Sequence, residues 1–132
     1  MSGTCYCDIL KAASRRLSSI YDKALEPAGV NVAQYSLLQR IRRAGGATLT
    51  ELGRIAELDR STIGRNVRVL ERMGLARLGR GADQREAVVT LTEAGRQALA
   101  IGTPLWDQAQ AGIEARLGPT GVKELCTALQ DL

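Results

Sequence analysis

The 132-residue chain contains no histidine. That absence removes Ser-His-Asp and Cys-His catalysis, histidine metal sites and a histidine pH switch together. Phenylalanine is also absent, and one tryptophan and three tyrosines make up the aromatic complement. Single-strand binding by base stacking therefore lacks its usual platforms, and a membrane interface lacks its aromatic anchors. Long apolar runs are missing too. The longest stretch free of Asp, Glu, Lys and Arg is Pro27 to Gln39, 13 residues, whereas a membrane-spanning helix needs about twenty. Met1 to Asp8 has neither a basic flank nor an apolar run, so no signal peptide is expected. Three cysteines are an odd set, which argues against a secreted disulfide framework. With no histidine to serve as base, a thiol nucleophile has no usual partner, so no enzyme and no cofactor is expected. The expectation is one cytoplasmic domain, residues 1–132, with a modest core.

What the chain has in quantity is arginine. Of its 18 basic residues 15 are arginine, and 12 of those lie between Arg40 and Arg96. Against the seven acids of that segment this leaves a net charge of +5, while residues 1–39 carry +1 and residues 97–132 carry −2. A basic middle between near-neutral ends is the footprint expected for a polyanion partner, although a merely solvated surface has the same composition. The guanidinium fork suits phosphate oxygens and guanine edges better than a lysine point charge does.

Hydrophobic spacing orders the elements. Ile9, Ala13, Leu17, Ile20, Tyr21 and Ala24 predict an amphipathic helix over 6–25, ended by Pro27 and Gly29. Val32, Tyr35, Leu38 and Ile41 predict a second helix, closed by Gly45-Gly46. Thr48-Leu-Thr-Glu51 has the form of a capping box, opening a short helix that runs to about Glu57. Asp59 or Ser61 can cap the next helix, whose apolar stripe is Ile63, Val67 and Leu70 and whose stop is Gly74. Arg65, Arg68 and Arg72 lie off that stripe. Two short helices about a tight turn, the second arginine-rich on its outer side, follow the helix-turn-helix plan. Leu75 to Leu78 and Glu86 to Leu91 then predict a β-hairpin, with Arg80 and Arg85 near its tip. Thr92 caps a long helical stretch to about Leu117, which Pro104 should bend or break near Thr103. Gly118-Pro119 separates a last short helix.

In this order the residues resemble the MarR family of bacterial winged-helix regulators, from residue 9 to 130. Asp59-Arg-Ser-Thr-Ile-Gly-Arg65, Leu70-Glu-Arg-Met-Gly-Leu75, Asp83-Gln-Arg85 and Leu91-Thr-Glu-Ala-Gly95 carry the likeness; the last two look like the family's wing signature. The resemblance implies a mainly α fold, with a winged helix-turn-helix over 32–92 flanked by dimerisation helices at 1–31 and 93–132. It further implies a homodimer that binds a pseudo-palindromic operator in double-stranded DNA as a repressor. A small phenolic or aromatic ligand, oxidation or a metal would release it. A departure is Gly64, a poor helix residue in the middle of the recognition helix.

The candidate DNA contacts are Arg60, Ser61, Thr62, Arg65, Asn66, Arg68, Arg80 and Arg85. Ser61 and Thr62 are expected to meet phosphate or base edges, Arg65 and Asn66 to read the major groove, and the two wing arginines to enter the minor groove. Asp83 is expected to hold the wing arginines, since phosphate would repel it. Cys5, Cys7 and Cys126 are candidates for a regulatory disulfide or a soft-metal site shared between protomers, against an alternative in which all three are small buried packing residues. Tyr21, Tyr35 and Trp106 are candidates for lining an effector pocket, or are core. The rival from another class is a DNA-architectural protein that uses the same wing without sequence preference.

Overall fold

A computed structural model describes residues 3–80 and 86–132. Helix α1 spans Tyr6–Ala24, a 3-10 turn covers Glu26–Ala28, and α2 spans Val32–Ala44. The corner between them is tied by polar side chains. Asn31 Oδ1 accepts from the Gln34 N–H at 2.8 Å while Gln34 Oε1 accepts from the Asn31 N–H at 3.0 Å, so a full capping box opens α2. From α1, Asp22 Oδ1 accepts the Val32 N–H at 2.7 Å, satisfying another of the donors a helix start leaves unpaired. Neither tie was read from the sequence.

Strand β1 (Ala47–Thr48) leads into α3 (Leu49–Ala56), and α4 follows at Arg60–Arg72. Thr48 Oγ1 accepts from the Glu51 N–H at 3.1 Å. The return bond from Glu51 expected of a capping box is not among the hydrogen bonds of the described residues. Thr48 lies in β1 opposite Val88, where the sheet sets its backbone, and Glu51 stays exposed. The turn between α3 and α4 closes on backbone atoms. Leu58 N–H donates to the Gly53 carbonyl at 2.9 Å and Glu57 N–H to the Arg54 carbonyl at 3.3 Å. Glu57 adopts φ +55° there, a left-handed conformation that disfavours any residue with a Cβ. A Cβ on Gly53 would lie 2.8 Å from the Leu58 carbonyl oxygen, so the tight turn requires glycine.

After α4, strands β2 (Ala76–Arg80) and β3 (Ala87–Leu91) form the wing as an antiparallel pair, with Leu78 opposite Val89 and Arg80 opposite Ala87. Strand β1 adds to the far side of β3, Ala47 opposite Val89, giving the order β1-β3-β2. Two-residue β1 carries no periodicity from which it could be read. Val89, central in the sheet, is fully buried, and with Leu25, Leu38, Ile41, Leu52, Ile63, Val67 and Leu70 it forms the heart of the core. No polar or charged residue is buried among the described residues.

Helix α5 runs Glu93–Gln130, with Gly118 alone in a non-helical conformation at φ 76° and ψ 159°. The break expected at Gly118-Pro119 is therefore present. Pro104 does not break the helix. The carbonyl of Ala100 loses its donor to the proline ring, but both residues are exposed, so water can take its place. One residue earlier the Thr103 hydroxyl donates to the Leu99 carbonyl at 2.8 Å.

Candidate nucleic-acid interface

The site is built on α4. Its inner side is fixed, since Ile63, Val67 and Leu70 are each no more than 1% exposed. Its outer side carries Arg60, Ser61, Arg65, Arg68 and Arg72, all exposed. A cationic face is thus held rigidly by an apolar one. The helix ends in a Schellman arrangement: Gly74, at φ +77°, donates to the Glu71 carbonyl, and Leu75 donates to the Leu70 carbonyl, both at 2.9 Å. This closure aims the chain into β2.

The wing is clasped to the same corner. Thr92 N–H donates to the Leu75 carbonyl at 3.1 Å, and the Thr92 hydroxyl donates to the Gly74 carbonyl at 2.6 Å. That hydroxyl also accepts the Gly95 N–H at 3.0 Å, capping α5. A Cβ on Gly95 would lie 2.0 Å from the Leu75 carbonyl oxygen, so only glycine lets α5 start here. Two sequence motifs, Gly74-Leu75 and Thr92-Glu-Ala-Gly95, are therefore the two halves of one contact.

Individual candidates fall as follows. Arg60 Nε lies 3.8 Å from Glu86 Oε1, and the same oxygen accepts the Thr50 hydroxyl at 2.8 Å. Glu86 thereby links the starts of α3 and α4 to the tip-side end of β3. Exposed as it is, the ion pair contributes at most about 1 kcal/mol. Sequence reading missed Glu86 and Thr50, because a contact across 36 residues leaves no local signature. Ser61 and Thr62 both bond the Asp59 carboxylate, and Arg65 Nη2 donates to Thr62 Oγ1 at 3.2 Å. Those two hydroxyl bonds, in that order, hold the Asp59 carboxyl below the usual carboxylate range. Asn66 is exposed and, with Asn31, Gln34 and Leu37, lines a cleft of about 140 Å³ between α2 and α4. Arg68 is exposed, and Arg80, also exposed, closes β2. Asp83 and Arg85 lie outside the described residues. A Cβ on Gly64 would meet only Leu49 Cδ1, at an ordinary 3.9 Å, so no close approach within the chain explains that glycine.

The aromatic candidates gather where α1, α2 and α5 meet. Trp106 stacks with Tyr21 at 6.0 Å and with Tyr35 at 6.2 Å between ring centroids. Tyr35 is buried, and its hydroxyl is shared with Thr103 at 3.0 Å and accepts from Gln39 Nε2 at 2.9 Å. The Tyr21 hydroxyl donates to Gln110, and burial first, then nearby Glu114, push its pKa up. Tyr35 and Trp106, with Gln39, Arg40 and Arg43, line a cleft of about 160 Å³. Cys5, Cys7 and Cys126 are free and exposed, so within one chain they are not the buried packing residues of the bland alternative. Cys5 is the extended N-cap of α1, while Cys7 already lies within the helix. Among the described residues no group of three His, Cys, Asp or Glu is placed to hold a metal ion.

A model of the MarR family matches residues 28–86. The transcriptional regulator MosR of M. tuberculosis, solved in complex with DNA, is 35% identical with a TM-score of 0.84, over 97% of this chain and 96% of that one. The chain belongs to the MarR family. A probable transcriptional regulator from Pseudomonas aeruginosa is 25% identical with a TM-score of 0.86, covering 96% and 95% of the two chains. YwoH, an uncharacterized HTH-type transcriptional regulator of Bacillus subtilis (strain 168), is 29% identical over 84 residues, 64% of this chain and 61% of its own length. The family is one of winged-helix transcriptional regulators, and the α3–α4 unit with its wing is the corresponding part of this MarR-family chain. No helix among its described residues is long and apolar enough to cross a membrane.

Proposed function

We propose that this MarR-family chain is a homodimeric repressor that binds a specific pseudo-palindromic site in double-stranded DNA and lets go of it in response to an effector. One observation carries the DNA-binding part: α4 presents an exposed arginine face while its opposite face is locked into the core. Arg60, Ser61, Thr62, Arg65, Asn66 and Arg68 would lie along the major groove, with Arg80 and Arg85 beside the minor groove and Asp83 supporting them. The MosR structure with DNA supports the same reading.

The dimer is supported by apolar surface that one chain leaves uncovered. Ile9, Leu10, Leu17 and Ile20 of α1 are 36–41% exposed, and Leu117, Leu125 and Leu129 of α5 are 40–46% exposed. For release, the cleft at Tyr35 and Trp106 has about the volume that accepts a single ring, and Arg40 and Arg43 favour an anion there. The exposed thiols offer the alternative trigger, oxidation. A soft-metal site would need thiolates from both protomers.

The experiment is selection of binding sites from random duplexes with the full chain, followed by titration of Arg65→Ala. The variant should lose about 1–3 kcal/mol on the selected site and less on random DNA. Equal losses on both would make Arg65 a phosphate contact, and no enriched sequence would defeat the reading.

A further inference from the structure

The start of α4 has a polarity that its composition does not reveal. Ser61 Oγ lies 2.6 Å from Asp59 Oδ2, Thr62 Oγ1 bonds Asp59 Oδ1, and Arg65 donates to Thr62 Oγ1. An ionised carboxylate can only accept, so both hydroxyl protons point at Asp59. What Asp59 and Ser61 have left for a neighbour is lone pairs. Both side chains are exposed, so nothing needs to move for a partner to reach them. A DNA phosphate presents only acceptor oxygens and a negative charge, and cannot satisfy such a surface. In the major groove the matching donors are exocyclic amino groups, N4 of cytosine and N6 of adenine. Three positions past Thr62, Arg65 offers the opposite polarity, suited to guanine O6 and N7.

We infer that Asp59 and Ser61 form an acceptor patch that reads a cytosine or adenine amino group beside the base met by Arg65, which makes Asp59 a specificity determinant. At the N-cap position of α4 it makes no side-chain capping bond, contrary to the sequence expectation, because the two hydroxyls occupy its carboxylate. The inference rests on the DNA-binding reading above. It narrows Ser61 from a contact with phosphate or base edges to base readout. It also gives the carboxylate a second consequence, since its charge lowers affinity for any duplex that does not supply the amino group.

The test uses the full chain and the site it selects from random duplexes. Each cytosine or adenine of the half-site is replaced singly by a base without the amino group, 2-pyrimidinone or purine respectively. At one position the parent protein should bind roughly tenfold more weakly, and the identity of that base separates cytosine from adenine. Asp59→Asn, whose amide donates as well as accepts, should lose the preference at that position and bind unrelated duplexes more tightly. If every amino-free duplex binds the parent as well as the selected site does, the inference is overturned while the DNA-binding reading stands. Unchanged base preference in a folded Asp59→Asn chain overturns it equally. If selection enriches nothing, both fall. Should Asp59→Asn fail to fold, the base replacements on the parent chain decide alone.

Discussion

Helices α1 and α4 are both amphipathic in sequence, and the chain treats them in opposite ways. The 13-residue α4 sinks Ile63, Val67 and Leu70 into the core. The 19-residue α1 buries none of its residues. Apolar spacing states that a helix has a face to hide, but not which molecule hides it. In α4 the answer lies within the chain, against α2, α3 and the sheet. In α1 the chain supplies no complete cover, and Ile9, Leu10, Leu17 and Ile20 stay 36–41% exposed, the surface that the proposed dimer would use.

The sharpest way to test that contrast is to truncate each face. Leu70→Ala removes a fully buried side chain and should cost about 2–5 kcal/mol of unfolding free energy, at any protein concentration. Leu17→Ser with Ile20→Ser should act mainly on assembly, at about 1 kcal/mol for each apolar side chain left uncovered. Its melting temperature should then depend on concentration more steeply than the parent's, read by scanning calorimetry across a dilution series. A double variant that melts lower by the same margin at every concentration would erase the distinction between the two helices.

The wing sets a smaller effect. Neutralising Arg80 and Arg85 together should flatten the slope of log affinity against log salt by up to about two phosphate equivalents. An unchanged slope would place the wing away from the duplex.

The smallest effects fall on two residues whose conformation and identity disagree. Gly64 sits inside α4 with ordinary room for a methyl group, so Gly64→Ala should stabilise the chain by about 0.5–1 kcal/mol. Glu57 holds φ +55° at the end of α3, so Glu57→Gly should also stabilise, by about 0.5–1 kcal/mol. Urea midpoints measure both. A loss of stability at Gly64→Ala would mean that the helix needs that gap.

Local rules were enough for every helix and for the wing strands, because spacing, caps and glycine stops act within a few residues. The same rules placed Gly74 and Thr92 at element ends without showing that they touch each other. They missed the Asn31–Gln34 box, since the nearby proline and glycine already accounted for the turn. They overstated Glu51, whose helix start is set by a strand too short to read, and Pro104, whose lost bond falls among exposed residues. At the candidate interface, residue types were legible and bond directions were not. Ser61 and Thr62 were expected at phosphate or base edges, but Asp59 takes their protons, and Glu86 left no local signal because its partners come from α3 and α4.

The clasp between Gly74-Leu75 and Thr92-Gly95 has an engineering consequence. Its hydrogen bonds run through main-chain atoms and one threonine hydroxyl, and its tightest approach depends on an atom that Gly95 does not have. Strands β2 and β3 leave and return through this clasp, and β3 is held further by its short pairing with β1 and by the Glu86 contacts. A hairpin of equal strand register taken from another regulator can therefore be grafted there as a cassette, with Ala76 and Val89 kept for the core, so that groove preference is exchanged without redesigning the corner that carries it.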